Sequence, residues 1–318
     1  MSVSGASILQ FRVLALLVFL SLSPIIAPSY AATDPRATGT SPQAGEAARQ
    51  QEAVSAYQAA VKGGVNGPAS VPLSDQANLR LPADMIWVHS AEAGHLLRAL
   101  GNQPGDVTGM VISSDHHLNW FVVVRYIGEG YIKDDDAKNW NSDDLLAKLR
   151  DGTDISNKDR AARGFEELEI VGWVEKPTYD ADTHRLVWSI RNKLKGQATD
   201  IGNVNYNTYA LGRKGYFSLN LVTTPERVES DKAIAKTLLG GLDYTPGNRY
   251  EDFIESTDKV AAYGLAGLLG IVAAKKLGML ALAGAFILKF AKLGLVAVAG
   301  IGVAIKRFFR RKPGPEAE

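Results

Sequence analysis

The chain has 318 residues, 46% of them hydrophobic, which is enough for one large domain or two small ones with a core. It contains no cysteine, so disulfides, thiolate zinc sites, iron–sulfur clusters and cysteine nucleophiles are excluded. The formal net charge of +1 conceals an acidic body, with 32 acidic and 24 basic residues between Ala32 and Asp258, and a basic tail, with ten basic and two acidic residues from Lys259 onward; the body speaks against nucleic-acid binding and the tail suits an anionic membrane face.

The N-terminus reads as a signal peptide. Arg12 supplies a thin positive region, and Val13 to Leu22 is an apolar stretch of ten residues, too short to span a bilayer. Pro24 and Pro28 break any helix, and Ser29-Tyr30-Ala31 places small residues at the −3 and −1 positions, which predicts cleavage after Ala31. An uncleaved anchor is the alternative. Ala32 to Ala44 is a loose leader rich in Thr, Pro, Gly and Ala. Glu46 to Lys62 predicts a helix with Val54, Tyr57 and Val61 on one face, ended by Gly63-Gly64.

Short strands and turns follow. Leu79 to Leu81 and Met85 to Val88 look extended, and Ser90 caps a helix running to Leu100. Val107 to Ile112 and Trp120 to Tyr126 are β-branched and aromatic, as strands require. Ser142 caps a helix to about Arg150, and Ser156 a second one ending at Gly164. Ile170 to Glu175 reads as a strand, Pro177 to Thr183 as a turn region, and Arg185 to Arg191 as a half-buried strand. Val204 to Leu211 and Tyr216 to Val222 form a hairpin around Gly212-Arg213-Lys214-Gly215, with Phe217, Leu219 and Leu221 sharing one face. Thr224, Pro225 and Glu226 open a helix that buries Ile234, Ala235, Leu238 and Leu239 and stops at Gly240-Gly241. The pattern predicts an α+β fold: an antiparallel sheet with flanking helices in one exported domain, followed by hydrophobic C-terminal helices.

In that C-terminal part, Val260 to Ala274, Leu277 to Leu288 and Leu293 to Ile305 are apolar runs, punctuated by Lys275-Lys276, Lys289 and Lys292. Ala266, Gly270 and Ala274 have the spacing that lets membrane helices approach closely. The cluster Lys306, Arg307, Arg310, Arg311 and Lys312 belongs in the cytoplasm by the positive-inside bias. An exported body then needs an odd number of crossings whereas a hairpin gives two, and the sequence leaves both open. The expected organisation is a signal peptide over 1–31, a leader and helix over 32–64, an extracytoplasmic domain over 65–258, a membrane segment over 259–312 and a tail over 313–318.

Several residues invite a chemical reading. Asp115-His116-His117 is eye-catching, but adjacent histidines on a strand point to opposite faces and make no shared metal shell. Asp134-Asp135-Asp136 has the oxygens of a calcium site without the EF-hand spacing, and reads better as a solvated loop. His184 with Asp180 and Asp182 offers an acid–base pair, or a turn histidine with local hydrogen bonds. Ser218 and Ser256 have no nucleophile-elbow context, and Gly212 to Gly215 matches no phosphate-binding pattern. Asn203, Asn205 and Asn207 line one strand face, either to meet a polar ligand or, the preferred reading, to face water. No catalytic, cofactor-binding or metal residue is assigned, and no cofactor is expected.

A series of landmarks carries a resemblance: Gly130-Tyr131-Ile132-Lys133-Asp134-Asp135-Asp136-Ala137, then Gly172-Trp173 with Pro177 and Tyr179-Asp180, then Thr183-His184-Arg185-Leu186-Val187-Trp188. Asn205-Tyr206-Asn207-Thr208, Leu211-Gly212-Arg213, Pro246-Gly247-Asn248-Arg249-Tyr250 with Asp252-Phe253, and Thr257 to Leu265 complete it. In this order they resemble the bacterial uncharacterised membrane-anchored proteins built on domain of unknown function 2167, from roughly Val65 to the C-terminus. The resemblance implies export, membrane attachment and no established activity, and carries over no catalytic residue. The hairpin and capped helix are also similar to antiparallel α+β folds of the photosystem PsbP type, an analogy of fold alone.

The leading functional expectation is a membrane-tethered, non-enzymatic binding or envelope-maintenance module on the periplasmic side of the inner membrane. Its partners would be membrane lipid through residues 260–312 and an envelope protein, with no nucleic acid. The alternatives are an envelope hydrolase using Asp180, His184 or the Asp134 cluster, and a membrane-remodelling protein acting through its Gly/Ala-rich tail.

Overall fold

A computed structural model describes residues 42–115, 118, 120–138, 140–198 and 202–271. The signal-peptide region, His116, His117 and the C-terminal apolar runs beyond 271 lie outside the described residues.

The elements follow in chain order. Helix α1 (Pro42–Gly63) leads to β1 (Val65–Asn66), β2 (Ala69–Leu73), β3 (Ala77–Leu81) and β4 (Met85–His89). Helix α2 (Ser90–Ala99), β5 (Val107–Ser113), β6 (Phe121–Ile127) and a 3₁₀ turn at Asp135–Lys138 come next. Helix α3 (Ser142–Ala162) is followed by β7 (Leu168–Asp180), β8 (Arg185–Leu194), β9 (Asn203–Gly212) and β10 (Gly215–Thr223). Helix α4 (Val228–Gly241), β11 (Leu242–Tyr244), a 3₁₀ turn at Tyr250–Asp252 and a π-helical turn at Gly267–Ile271 complete the described chain.

Eight strands make one antiparallel sheet in the order β1-β4-β5-β6-β10-β9-β8-β7, and β11-β3-β2 make a small second sheet. The fold is α+β, antiparallel sheet with flanking helices. The small sheet and α4 cover one face of the large sheet through Val71, Leu79, Leu238 and Leu239, which meet Trp87, Val122, Phe217, Leu219 and Leu221. The opposite face holds two apolar clusters. Ile86, Val88, Met110 and Phe121 lie under α1 and α2, whereas Leu186, Trp188, Ile190 and Tyr209 lie with Leu145 and Leu149 of α3. Helix α1 presents Ala53, Ala56, Tyr57, Ala60 and Val61, a stripe at helical spacing, to the first of these clusters.

Four expectations need correction. Ser90 is the first residue of α2, and His89 precedes it as the N-cap without a side-chain bond. The two helices expected over 142–164 are one. Asn141 caps it, accepting from the Asp143 and Asp144 amides at 2.8 and 3.3 Å, and Gly152 is carried in its interior. Asn157 explains the continuity, because its amide bonds both the carbonyl and the N–H of Leu168 at 2.8 Å and so ties the last turns to β7. Strand β7 runs through Pro177 to Asp180, and as an edge strand it loses no ladder bond to proline. Finally, Thr224 to Arg227 is a turn closed by the Arg227 N–H on the Thr224 carbonyl, and α4 starts only at Val228.

The described part of the stretch expected to enter the membrane packs on the domain. Tyr131 donates to the Lys259 carbonyl at 2.8 Å and accepts from the Ala261 N–H at 2.9 Å. Leu265, Leu268 and Leu269 are buried beside α3. Among the described residues no helix is long and apolar enough to cross a membrane.

Candidate functional site

Loops distant in sequence meet where β6 ends and the β7–β8 and β9–β10 hairpins turn. The Leu211 N–H donates to the His184 carbonyl at 3.0 Å, the Gly130 N–H to Lys214 at 3.1 Å, and the Arg213 N–H to Asn248 at 3.0 Å. Gly130 has φ +107°, and a Cβ there would lie 2.5 Å from the Lys259 carbonyl oxygen, so glycine is needed for the chain to pass this closely. Most of the stretches that carry the family resemblance converge here.

At this end Tyr179 joins a histidine to a carboxylate. Its hydroxyl is 2.8 Å from Asp134 Oδ2 and 3.1 Å from His184 Nδ1, and those two atoms are 3.8 Å apart. A phenol has one proton. The carboxylate only accepts, so the hydroxyl donates to Asp134, and His184 Nδ1–H donates to the phenol oxygen. With Nδ1 engaged in this way, Nε2 is the ring nitrogen left to face a ligand, the arrangement of a general base. Burial above all, then hydrogen bonding to Asp134, pushes the Tyr179 phenol well above its ordinary pKa and keeps it a donor. His184 sits at φ +52°, a left-handed backbone that histidine, like asparagine and aspartate, adopts more readily than other residues with a side chain.

The imidazole also ends a column of rings. His184 stacks on Tyr250 at 3.9 Å, Tyr250 on Tyr131 at 4.4 Å and Tyr131 on Phe253 at 3.9 Å. The Tyr250 hydroxyl fixes the column by donating to the Ile132 carbonyl at 2.8 Å.

The neighbouring carboxylates are committed to structure. Asp136 accepts from the Leu265 and Ala266 N–H groups at 2.9 and 3.1 Å. Asp180 accepts from the Asp182 N–H and the Thr183 hydroxyl, which makes it a turn residue. Asp258 forms a two-point pair with Arg213 at 2.6 and 2.9 Å and accepts the Ile254 N–H at 2.8 Å. The Arg213 bonds, followed by that N–H, hold its carboxyl down to about 2. The three aspartates of the 134–136 run therefore do not form a solvated loop: Asp134 and Asp136 have separate partners. His184 meets Asp134, 50 positions away, not Asp180.

On the side of the small sheet an open groove of about 650 Å³ is lined by Pro72, Ser74, Trp87, His89, Asp106 and Tyr126, among others. Trp87, one of the lining residues, lies against Gly109, where a Cβ would come within 2.1 Å of the indole. Tyr126 is held by its hydroxyl on Gln76 Oε1 at 3.2 Å. No motif marked the groove, whereas Tyr131, His184, Tyr250 and Phe253 of the ring column all lie in the landmark stretches that carry the family resemblance.

The asparagines also depart from expectation. Asn205 and Asn207 are buried, not solvated. Asn192 donates to Asn205 at 2.7 Å, Asn205 to Asn220 at 3.1 Å and Asn220 to Asn207 at 2.6 Å. Ser218 is buried on a central strand, and Ser256 lies in an exposed turn.

Comparison with known proteins gives little beyond family membership. No curated protein matches the chain. The solution structure of cyanobacterial PsbP (CyanoP) from Synechocystis sp. PCC 6803 is similar at 13% identity and a TM-score of 0.35, over 56% of this chain and 92% of that one. The family described as Protein of unknown function (DUF2167) matches residues 65–299, and the chain belongs to that family.

Proposed function

We propose that this protein is a non-enzymatic binding module of the bacterial envelope, exported to the periplasmic side and tethered to the inner membrane through the apolar, basic-ended stretch that follows residue 271. The signal-like N-terminus and the apolar, basic-ended C-terminus support the location. The observation that carries the binding reading is the groove between the two sheets. It is concave, its aromatic lining is fixed, and it presents Ser74, His89 and Asp106 together, as ligand sites do. Its occupant would be a partner in the envelope. A photo-crosslinking residue at Ser90 on the groove lining, introduced into the full chain in cells, should give a discrete adduct that the same residue at exposed Ile155 does not. Identical labelling at both positions, or none, refutes the reading.

The His184–Tyr179–Asp134 chain favours a second reading, an envelope hydrolase with His184 Nε2 as general base. Under the binding reading His184→Ala retains the function that deletion of the protein removes. Loss of that function at a normal protein level would favour the hydrolase.

A further inference from the structure

We infer that the groove takes a short zwitterionic peptide, with its carboxylate at the start of α2 and its ammonium group at Asp106. The inference rests on the reading of the groove as the binding site and gives its occupant a chemical class.

Strand alternation gathers the lining on one face. Trp87 and His89 are two residues apart on β4 and share a face, and Trp87 belongs to the cluster covered by the small sheet. Tyr126 packs against the same cluster. Strands β5 and β6 pair Val107 with Arg125, so the next residues outward, Asp106 and Tyr126, are neighbours on the opposite face from that pair. A register shift between Val107 and Gly109 interrupts the ladder here, and the Thr108 hydroxyl oxygen accepts the Tyr126 N–H at 3.0 Å. Such a bulge re-aims side chains at the rim of a sheet. The space of about 650 Å³ lies within the range of small-ligand sites.

One end of the groove suits an anion. Ser90 and Ala91, in the first turn of α2, line it, and no side chain caps that helix. The first amides of a helix carry the positive end of its dipole, roughly half a charge. Trp87 adds a donor. It is 3% exposed, and its indole N–H has no partner among the described residues. That N–H is not sealed in the core as those of Trp120 and Trp188 are, so it opens on the groove that Trp87 lines. Glu92, in the same helical turn, is off the lining and lies towards Gly63.

The other end suits a cation. Asp106 is exposed and makes no ion pair among the described residues. Beside it the Tyr126 ring is held by the hydroxyl bond to Gln76 and by packing on Phe217 at 5.0 Å. A carboxylate next to an aromatic face attracts an ammonium group. Asp106 would repel a simple anion and the start of α2 a simple cation, so a ligand carrying both charges satisfies both ends. His89 pairs with Gly109, and Asp106 is three residues before Gly109, roughly 7–10 Å along a bulged strand. An extended chain of two or three residues spans about the same distance.

The test titrates the full chain, in nonionic detergent, with trialanine, N-acetyl-trialanine and trialanine amide, and follows binding by saturation-transfer NMR. Trialanine should bind about tenfold more tightly than either blocked form. Asp106→Asn should bring trialanine down to the level of the acetylated peptide. Ser90→Pro removes one amide donor at a position where His89, with ψ 161°, already suits a following proline. It should weaken trialanine and leave trialanine amide unchanged. Each variant is read as a ratio of two affinities, which a partial loss of folded protein does not alter. No binding of trialanine, equal affinity for the three peptides, or a ratio unchanged by Asp106→Asn would overturn the proposal. If trialanine fails to bind while the residue at Ser90 still gives its discrete adduct in cells, the peptide is wrong and the groove stands. Absence of both removes the groove as well.

Discussion

Strands β8 and β9 bury polar side chains on both faces, and the two faces treat them differently. Beneath α3 and its neighbours, Asn192, Asn205, Asn207 and Asn220 bond one another across three strands, and of these side chains Asn192 leaves its oxygen outside the network. On the α4 side, Ser189 and Tyr206 face each other across two strands; Glu175 acts on the Tyr206 phenol, whereas the Ser189 hydroxyl has no partner among the described residues. Burial and sheet environment are the same, so burial alone does not mark which polar groups help to specify the packing. Partnership does. A paired network specifies how layers pack, whereas an unpaired group lowers stability.

The largest test of this contrast makes an orphan deliberately. A chain ending at Asp258 strips Asp136 of both N–H donors and removes the buried Leu265, Leu268 and Leu269. Each leucine contributes about 1.5–3 kcal/mol when fully buried. The chain ending at Ile271 should therefore resist urea better by on the order of 5 kcal/mol. Equal midpoints would show that the segment is not part of the folded domain.

Next in size is Asn205→Ala. It leaves the Asn192 amide and the Asn220 carbonyl without their partner, at about 2–4 kcal/mol for the two orphaned groups. Denaturant titration that finds no loss would break the contrast from the paired side.

A smaller, pH-dependent effect belongs to the Arg213–Asp258 pair. The folded carboxyl at about 2 lies below its ordinary value of 3.8, so its stabilisation is complete above that value and disappears as pH falls from about 4 to 2. Asp258→Asn should melt lower than the wild type at pH 7, and the two curves should merge near pH 2. A gap independent of pH would mean that the pair acts by packing alone.

Much of the fold was legible in local pattern. The glycine-flanked turn at Gly212 to Gly215 located the β9–β10 hairpin, and alternation put Phe217, Leu219 and Leu221 on the buried face. Long-range effects were not legible. Alternating asparagines read the same whether water or a helix layer covers them, so Asn205 and Asn207 were assigned to solvent. Pro177 reads as a turn until β7 is known to be an edge strand. His184 was paired with nearby Asp180 because nothing local shows that Tyr179 reaches Asp134, 45 positions upstream. The tyrosines of the ring column carried no spacing signal, since each comes from a different loop.

The smallest effect is the most informative one. Ser189→Ala removes one oxygen and leaves the backbone in place, so its thermal midpoint reports directly whether that buried hydroxyl has a partner. The account predicts a midpoint equal to or slightly above that of the wild-type chain in the absence of ligand. A midpoint several degrees lower would show that the hydroxyl is already paired in the free protein, and would remove the distinction between the two faces.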